Sequence, residues 1–446
     1  MAGLGLTQGQ AQAQAIWLPG SDPVNIARSG TGVAFGRNLE ACSLNPALLA
    51  TLPKLSFYLS SGMEMQSSQI TLPSNERTLY TSDRNRFMPA FGVGWRVSPK
   101  FALGLKLDTP FLRHAELPKE SSSRFFGRAI DLKSQRTELQ AAGAFTDAFS
   151  VGASIGMTRL NYASSVSLRA LVPGNGSLPA GDSNPAEALL ETTVRQEGRV
   201  SAITYGAGFR YAVNSRWTVG GGFRSGAKGR PDLTAFIPQQ DLDLYNTRGF
   251  DSPHPPIGVE EQAQIVLDAA KANPGTGDLA LPYRAQVGVR HRFNQLMTWE
   301  IDLHYIGASA IALPSQPTLD TPSGRVATLD RDIKYKDGMG ISGMMEINMG
   351  RDWVSRCGFS LDPALRRNGE VDAMLGGSKS AGFSVGCSYR LLGGELCAGY
   401  QYRQAMDKEA DGMDGIWSAA GLRSSGTPVR IEGMGHIWSI GYRKSF

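Results

Sequence analysis

Apolar and polar positions alternate with a period of two along most of this chain. Phe91, Val93, Trp95 and Val97 interleave with Gly92, Gly94 and Arg96. Phe101, Leu103, Leu105 and Leu107 interleave with Ala102, Gly104, Lys106 and Asp108. The same rhythm returns at Ile203–Tyr211, Trp217–Phe223, Trp299–Tyr305 and Trp438–Phe446. Each segment predicts a strand with one greasy face and one polar face.

The connections add a second pattern. Tight turns are expected at Ser98–Lys100, Thr146–Ala148, Val213–Arg216, Asn294-Gln295, Gly350–Asp352 and Leu391–Glu395. Long polar connections are expected between them, near Ser67–Arg86, Arg113–Arg128, Arg169–Glu191, Pro238–Leu279, Ala310–Arg331, Asp362–Lys379 and Met406–Thr427. Strict alternation of short and long is the habit of outer-membrane barrels, and the count comes to about fourteen strands, an even number. A soluble β-sandwich has shorter strands, about 5–6 residues, and no reason to lengthen every second loop. The final strand ends on Phe446 and carries Trp438 and Tyr442 on the same face, as an interfacial girdle requires.

Composition narrows this reading. No run of about 18 apolar residues occurs, so a membrane span is open only to a closed β-barrel. The 53 glycines in 446 residues exceed the ordinary share of about 7% and suit close backbone approach. A net charge of +5 without a basic block gives no footprint for nucleic acid. Residues 1–15 read as the tail of a signal peptide whose front is missing or mis-started, with Ala13-Gln14-Ala15 as the cleavage signal. Two loops carry helical signals. One is Asn184-Pro185-Ala186-Glu187 followed by Leu189, Leu190 and Val194; the other is Val259, Ala263, Val266 and Ala270.

Catalytic and metal chemistry are not indicated. The four cysteines (42, 357, 387, 397) form no metal set, although Cys357 and Cys387 share an outward face and are open to a disulfide or to two lipid-facing thiols. The five histidines are scattered, and no phosphate loop, G-x-S-x-G or HExxH is present. The expectation is a protein that is not an enzyme and has no cofactor. Strand parity instead turns charges inward. Glu300 and Asp302 are expected to pair with Arg290 and Arg292 near the periplasmic end. Lys106, Arg136, Arg224 and Arg284 fall near mid-strand and are candidates to hold a ligand carboxylate; the alternative for each is a lumenal ion pair.

The segment "ARSGTGVAFGRNLEACSLNPALLATLPKLSF" at Ala27–Phe57, with Asn45-Pro46-Ala47 just ahead of the first strand, resembles the N-terminal region of the FadL/TodX family of outer-membrane transporters. "LALPYRAQVGVRHRF", "LMTWEIDLHYIG" and the terminal "HIWSIGYRKSF" extend the resemblance. It implies an all-β transmembrane antiparallel barrel of about 14 strands, spanning residues 54–446, with an N-terminal hatch at 16–53 built around Asn45, Pro46 and Ala47. It implies passive uptake of hydrophobic compounds in the outer membrane, long-chain fatty acids before aromatic hydrocarbons. The ligand binds in the lumen, the hatch shifts, and release is sideways through a kink in the third strand. Here that strand is Phe101–Leu112, and the kink is expected at Asp108, Thr109 and Pro110. Pro110 cannot donate to a ladder, so it either breaks the pairing or ends the strand. The expected partners are hydrophobic small molecules and the surrounding lipid and lipopolysaccharide, with no nucleic acid. The competing reading is a general polar-solute porin, which would have an open lumen.

Overall fold

The computed structural model describes residues 20–35, 38–71, 78–81, 86–118, 127–172, 188–238, 242–246, 259–322, 324–327, 334–365, 378–406, 408–410 and 429–446. One antiparallel sheet closes on itself as a 14-strand barrel. Its first strands are β1 (Leu55–Thr71), β2 (Arg86–Ser98), β3 (Phe101–Asp108, resuming at Leu112–Glu116), β4 (Ala129–Ala144), β5 (Phe149–Val172) and β6 (Ala188–Ala212). Then come β7 (Trp217–Arg224), β8 (Tyr283–Arg292), β9 (Met297–Gly307) and β10 (Gly338–Met349). The last are β11 (Trp353–Asp362), β12 (Ser380–Leu391), β13 (Gly394–Ala405) and β14 (Val429–Ser445).

The sheet contains 19 strand segments, because five short pieces continue a neighbour's ladder and add no wall strand of their own. Thr78–Thr81 pairs with the end of β1, Leu112–Glu116 belongs to β3, Asp232–Phe236 and Leu242–Asn246 pair with the outer part of β6, and Lys408–Ala410 pairs with β14. Closure runs from Ser56↔Ser445 to Thr71↔Arg430, so neither terminal strand leaves an open edge.

Alternation sorts the side chains as the sequence requires. Outward residues on β4–β6 such as Leu139, Ile155 and Ile203 are 60–74% exposed, whereas Gln140, Ser154 and Thr204 on the other face are buried. An apolar face left this bare is stable only against hydrocarbon. Aromatic rings crowd the end of the barrel that carries the short turns. Phe149 packs on Phe145 and Tyr211, Trp217 on His291 and Trp299, and Phe57 on Tyr442 and Phe446. That ring of aromatics is an interfacial girdle.

The third strand, expected over Phe101–Leu112 with a kink at Asp108, Thr109 and Pro110, has a ladder that stops at Asp108 and resumes at Leu112. Other local expectations are corrected. No helix follows Glu187, because the chain from Ala188 is already in β6; residues 184–187 lie outside the described residues. Cross-strand packing with β5 has overridden the local helical signal there. The loop around Arg169–Glu191 is correspondingly shorter, since β5 extends to Val172. The second helical signal is a helix at Val259–Asp268. Residues 1–15 also lie outside the described residues. All four cysteines are free thiols, with Cys357 exposed on the outward face and Cys42 and Cys397 buried.

Candidate functional site

The chain ahead of β1 is folded against the inner wall. Asp22 caps a short helix, Pro23–Ala27, by accepting the Asn25 N–H at 2.8 Å, with Pro23 in the first turn. A tight turn with Ser29 at φ 52° and Gly30 at φ 77° reverses the chain. Two 3-10 turns follow, Glu40–Ser43 and Pro46–Thr51. Asn45 caps the second by accepting the Ala47 N–H at 3.0 Å. Its Nδ2 donates to the Val33 carbonyl at 2.8 Å and to the Phe209 carbonyl on β6 at 2.7 Å. Asn45 therefore sets the turn, ties it to the preceding loop, and fastens both to the wall. Pro46 supplies the fixed φ of the first turn, and Ala47 is fully buried.

The wall accommodates this segment by having no side chains where it lies. A Cβ on Gly222 would strike the Leu44 carbonyl, and one on Gly208 the Asn45 side chain. Gly152 faces the Pro46–Ala47 peptide, and Gly399 faces Pro23. These close backbone contacts explain part of the glycine excess.

Charged groups complete the attachment. On β9, Asp302 Oδ2 accepts the Gly32 and Val33 N–H groups at 2.9 and 3.2 Å, and Glu300 Oε1 accepts the Ala34 N–H at 2.7 Å. Three successive backbone N–H groups thus form a concave anion-binding turn over two wall carboxylates. This corrects the expected pairing of Glu300 and Asp302 with Arg290 and Arg292. Their partners come from the N-terminal segment, whose course strand parity does not reveal. On the adjacent strand β10, Glu346 accepts Arg28 Nη2 and Arg356 Nε, each at 2.7 Å. The Arg28 guanidinium also stacks 3.9 Å from the Phe35 ring centre, with Arg290 at 4.4 Å from the same centre.

The four candidate carboxylate ligands separate into two groups. Arg136 holds Asp108 with two hydrogen bonds, 3.0 and 2.7 Å, and Lys106 lies 3.4 Å from the same carboxylate. Arg224 holds Glu138 at 2.6 Å and donates to the carbonyls of Ser43 and Cys42 in the N-terminal segment. Those three cations are engaged within the lumen by two shared carboxylates, Asp108 and Glu138. Arg284 is different. Among the described residues it makes no hydrogen bond or ion pair, and its Nε is buried without a partner. Its backbone partner across the ladder is Arg224, so two cations stand side by side.

Arg136, Arg224 and Arg284 line one small cavity of about 30 Å³. The other lining residues include Ser21, Leu44, Asp108, Thr109, Pro110 and Gln286. That volume holds about one water, so in this state the N-terminal segment leaves no room for a ligand beside Arg284. Beyond this polar floor the lumen is greasy. On the inner face of β4 the order is Ile130 and Leu132, then Ser134, Arg136, Glu138 and Gln140. Ile130 and Leu132 join Leu160, Tyr162, Phe111, Leu281 and Ile306 in a buried apolar cluster roofed by loop residues.

The break in β3 opens one wall of this space. The β2–β3 ladder ends at Phe91↔Leu107. Past that point β2 pairs only with β1, and Leu112–Glu116 pairs only with β4. Pro110 stands inside the interruption, where its missing N–H is harmless. Ser134 patches the bend by accepting the Phe111 N–H and donating to the Phe111 carbonyl, at 2.8 and 3.0 Å. Met88 from one edge and Leu112 from the other meet Ile26 of the N-terminal segment in one buried cluster. Ser21 Oγ lies 3.4 Å from the Thr109 N–H. Higher up, Arg86 spans the gap to Asp131 at 2.6 Å and to His114 at 2.9 Å. The interruption is thus filled from inside by the segment that also fills the lumen.

Burial pushes the Asp22 carboxyl up to about 6, with the Glu40 carboxylate adding to the rise and Lys106 opposing it. A carboxyl raised on docking favours the docked segment below its free value of 3.8, and that preference is lost as pH rises through about 6. Docking is therefore expected to be tighter at pH 4.5 than at pH 7.5 (about those values), and Asp22→Asn should flatten the dependence. Cys42 supplies the readout. It is fully buried and burial raises its thiol to about 12, so it should react with a soluble thiol reagent only when the segment leaves the wall. Cys42 labelling, in a chain with the other three cysteines replaced by serine, should separate wild type from Asp22→Asn. Equal ratios at every pH would exclude Asp22 as the source.

The sequence matches a model of the "Outer membrane protein transport protein (OMPP1/FadL/TodX)" family over residues 4–446. The fold is similar to the crystal structure of a Pseudomonas aeruginosa FadL homologue, at a TM-score of 0.68 and 16% identity, over 98% of this chain and 100% of the other. It is also similar to the Pseudomonas putida toluene transporter TodX, at 0.62 and 13% over 96% and 99% of the two chains. The Ralstonia pickettii toluene transporter TbuX gives 0.57 and 15% over 96% and 99%. No curated protein matches the sequence. With a family match over nearly its whole length and a closed barrel greasy outside and polar within, the chain belongs to the OMPP1/FadL/TodX family of outer-membrane transporters for hydrophobic compounds.

Proposed function

We propose that the protein takes up long-chain fatty acids, with residues 20–53 as a hatch that yields when ligand arrives. The observation that carries this reading is Arg284, whose guanidinium makes no hydrogen bond or ion pair among the described residues and whose nearest counter-charges are the more distant Asp362 and Asp302, at the junction between an ionic floor and an apolar lumen. A carboxylate there would satisfy the buried Nε and relieve the repulsion between Arg284 and Arg224. An acyl chain would lie along the Ile130 and Leu132 side of the lumen, where burial is worth about 0.8 kcal/mol per CH₂. Lys106, Arg136 and Arg224 are assigned a supporting role, since Asp108 and Glu138 already engage them.

The route proposed is lateral. Ile26 packs on both edges of the β2–β3 gap, and Ser21 touches the Thr109 backbone within the break. A hatch that moves would withdraw both contacts and free Asp108, Thr109 and Pro110 to open a path into the bilayer. Asn45, Pro46 and Ala47 are the fixed point around which it would move. Passage down a gradient between greasy surfaces needs no energy source.

Oleate and toluene binding to the purified protein, with and without Arg284→Ala, tests the assignment. Charge-assisted hydrogen bonds are worth about 1.5–3 kcal/mol, so oleate should bind on the order of tenfold to a hundredfold more weakly to the variant. Toluene, which has no carboxylate, should be indifferent to the change. Toluene binding without oleate binding in the wild type would replace the fatty-acid reading with aromatic hydrocarbon uptake.

A further inference from the structure

The outward face changes character at one level on three neighbouring strands. The register sets Thr137, Met157 and Ile203 side by side on β4, β5 and β6. Met157 and Ile203 are 58% and 74% exposed, so this row faces hydrocarbon. The next row towards the long loops is Gln135, Arg159 and Ser201, and the one beyond is Lys133, Asn161 and Arg199. Three cations therefore stand in the two rows outside the last greasy one. From β6 round to β9 the outer belt is aromatic instead, with Tyr205, Phe223, Tyr283 and Tyr305 in successive ring contact at 5.9–6.2 Å.

None of the three cations has an ion-pair partner among the described residues. Lys133 Nζ reaches only the Phe87 carbonyl, at 3.4 Å. The nearby acids are engaged or set apart. Asp131 is held by Arg86, Glu197 lies 3.8 Å from Arg195, and Asp232 stands opposite Arg199 without an ion pair. Lys133, Asn161 and Arg199 line an outward groove of about 460 Å³, and Arg86, Asp131, Glu197 and Asp232 line it as well. Strand spacing of about 4.8 Å and a rise of about 3.4 Å per residue bring the three cations within about 10 Å of one another.

Cations at that depth meet the headgroups of the outer leaflet. The Arg199 fork, the Lys133 ammonium and the Asn161 amide at the groove, with the Arg159 fork one row below it, suit a phosphate that offers several acceptor oxygens. The greasy rows directly below suit the acyl chains attached to it. We propose that Lys133, Arg159 and Arg199, with Asn161, hold a lipid-borne phosphate of lipopolysaccharide on the wall beside the β3 break. This site is separate from the lumen and does not depend on which compound is transported.

The test uses the full chain in nanodiscs, with rough lipopolysaccharide and its enzymatically dephosphorylated form as ligands, followed by native mass spectrometry. The wild type should retain the phosphorylated form at least about tenfold better, at about fivefold per cation. The triple variant K133Q/R159Q/R199Q should lose that preference, while K228Q/R325Q, which removes exposed cations elsewhere, should keep it. Should the triple variant fail to insert, R159Q and R199Q singly should each reduce the preference about fivefold. Equal retention of the two lipid forms by the wild type, or an undiminished preference in the triple variant or in both single variants, would overturn the proposal.

Discussion

A chain that begins at Lys54 is expected to insert as a barrel and to conduct ions steadily, whereas the full chain should not. The wall does not need the N-terminal segment for its hydrogen bonds. Closure between β1 and β14 involves only residues after Lys54, and every β ladder of the wall lies within residues 55–445. The lumen does need it. Barrels of about 8 strands are filled by their own side chains, and one of 14 strands is wider. Here the centre is occupied by buried residues of the segment, among them Ile26, Arg28, Leu48 and Leu49. Their removal exposes a wall of serines, glycines and ion pairs that water wets readily. Planar-bilayer conductance checks this, with heat-modifiable mobility as the sign that the barrel has formed. Conductance equal to that of the full chain would refute the sealing role.

The largest single-residue effect is expected at Glu346. Its carboxylate is shared by Arg28, which is fully buried, and Arg356, which is 4% exposed. Glu346→Ala leaves two guanidinium groups facing each other without a counter-charge. Breaking one side of a buried ion pair costs about 3–5 kcal/mol. The barrel ladder around Glu346 stays intact, so the penalty should fall on docking of Arg28 and appear as an opened lumen with little loss of barrel stability. Frequent channel openings and rapid Cys42 labelling are the expected signs. Glu346→Gln should be milder, because the amide oxygen still accepts. A variant that stays closed and unlabelled would show that the Arg28 contact is dispensable.

The wall of this protein was legible because a barrel strand repeats its pattern every two residues. Ile203, Tyr205 and Phe209 announce their face without help from the rest of the chain. Pro110 was legible for a related reason, since a residue without an N–H marks a defect in any ladder. The lumen was legible only by half. Parity turned Glu300 and Asp302 inward, but it cannot say what lies opposite, and both accept backbone N–H groups of the N-terminal segment. Asn25 and Arg28 were missed because that segment has no period to read. Its order comes from tertiary contacts such as the Asn25 amide on the Glu40 carbonyl, at 3.0 Å, and the Asn45 amide on Phe209. The glycines were the available signal. Gly208, Gly220 and Gly222 fall on the inward face, and small residues there mark a surface against which another backbone lies.

The segment that fills the lumen is joined directly to the wall, since Pro53 and Lys54 lead straight from the last 3-10 turn into β1. On the proposed hatch reading, stopper and channel are one polypeptide, and reseating would be an intramolecular event. A short tether holds such a part near its seat at an effective concentration in about the millimolar range. If the segment yields as proposed, modest docking energy would keep the barrel shut most of the time, and each opening would be self-limiting. On that reading the fraction of time spent open would be a property of the single molecule, the same in a sparse membrane as in a crowded one.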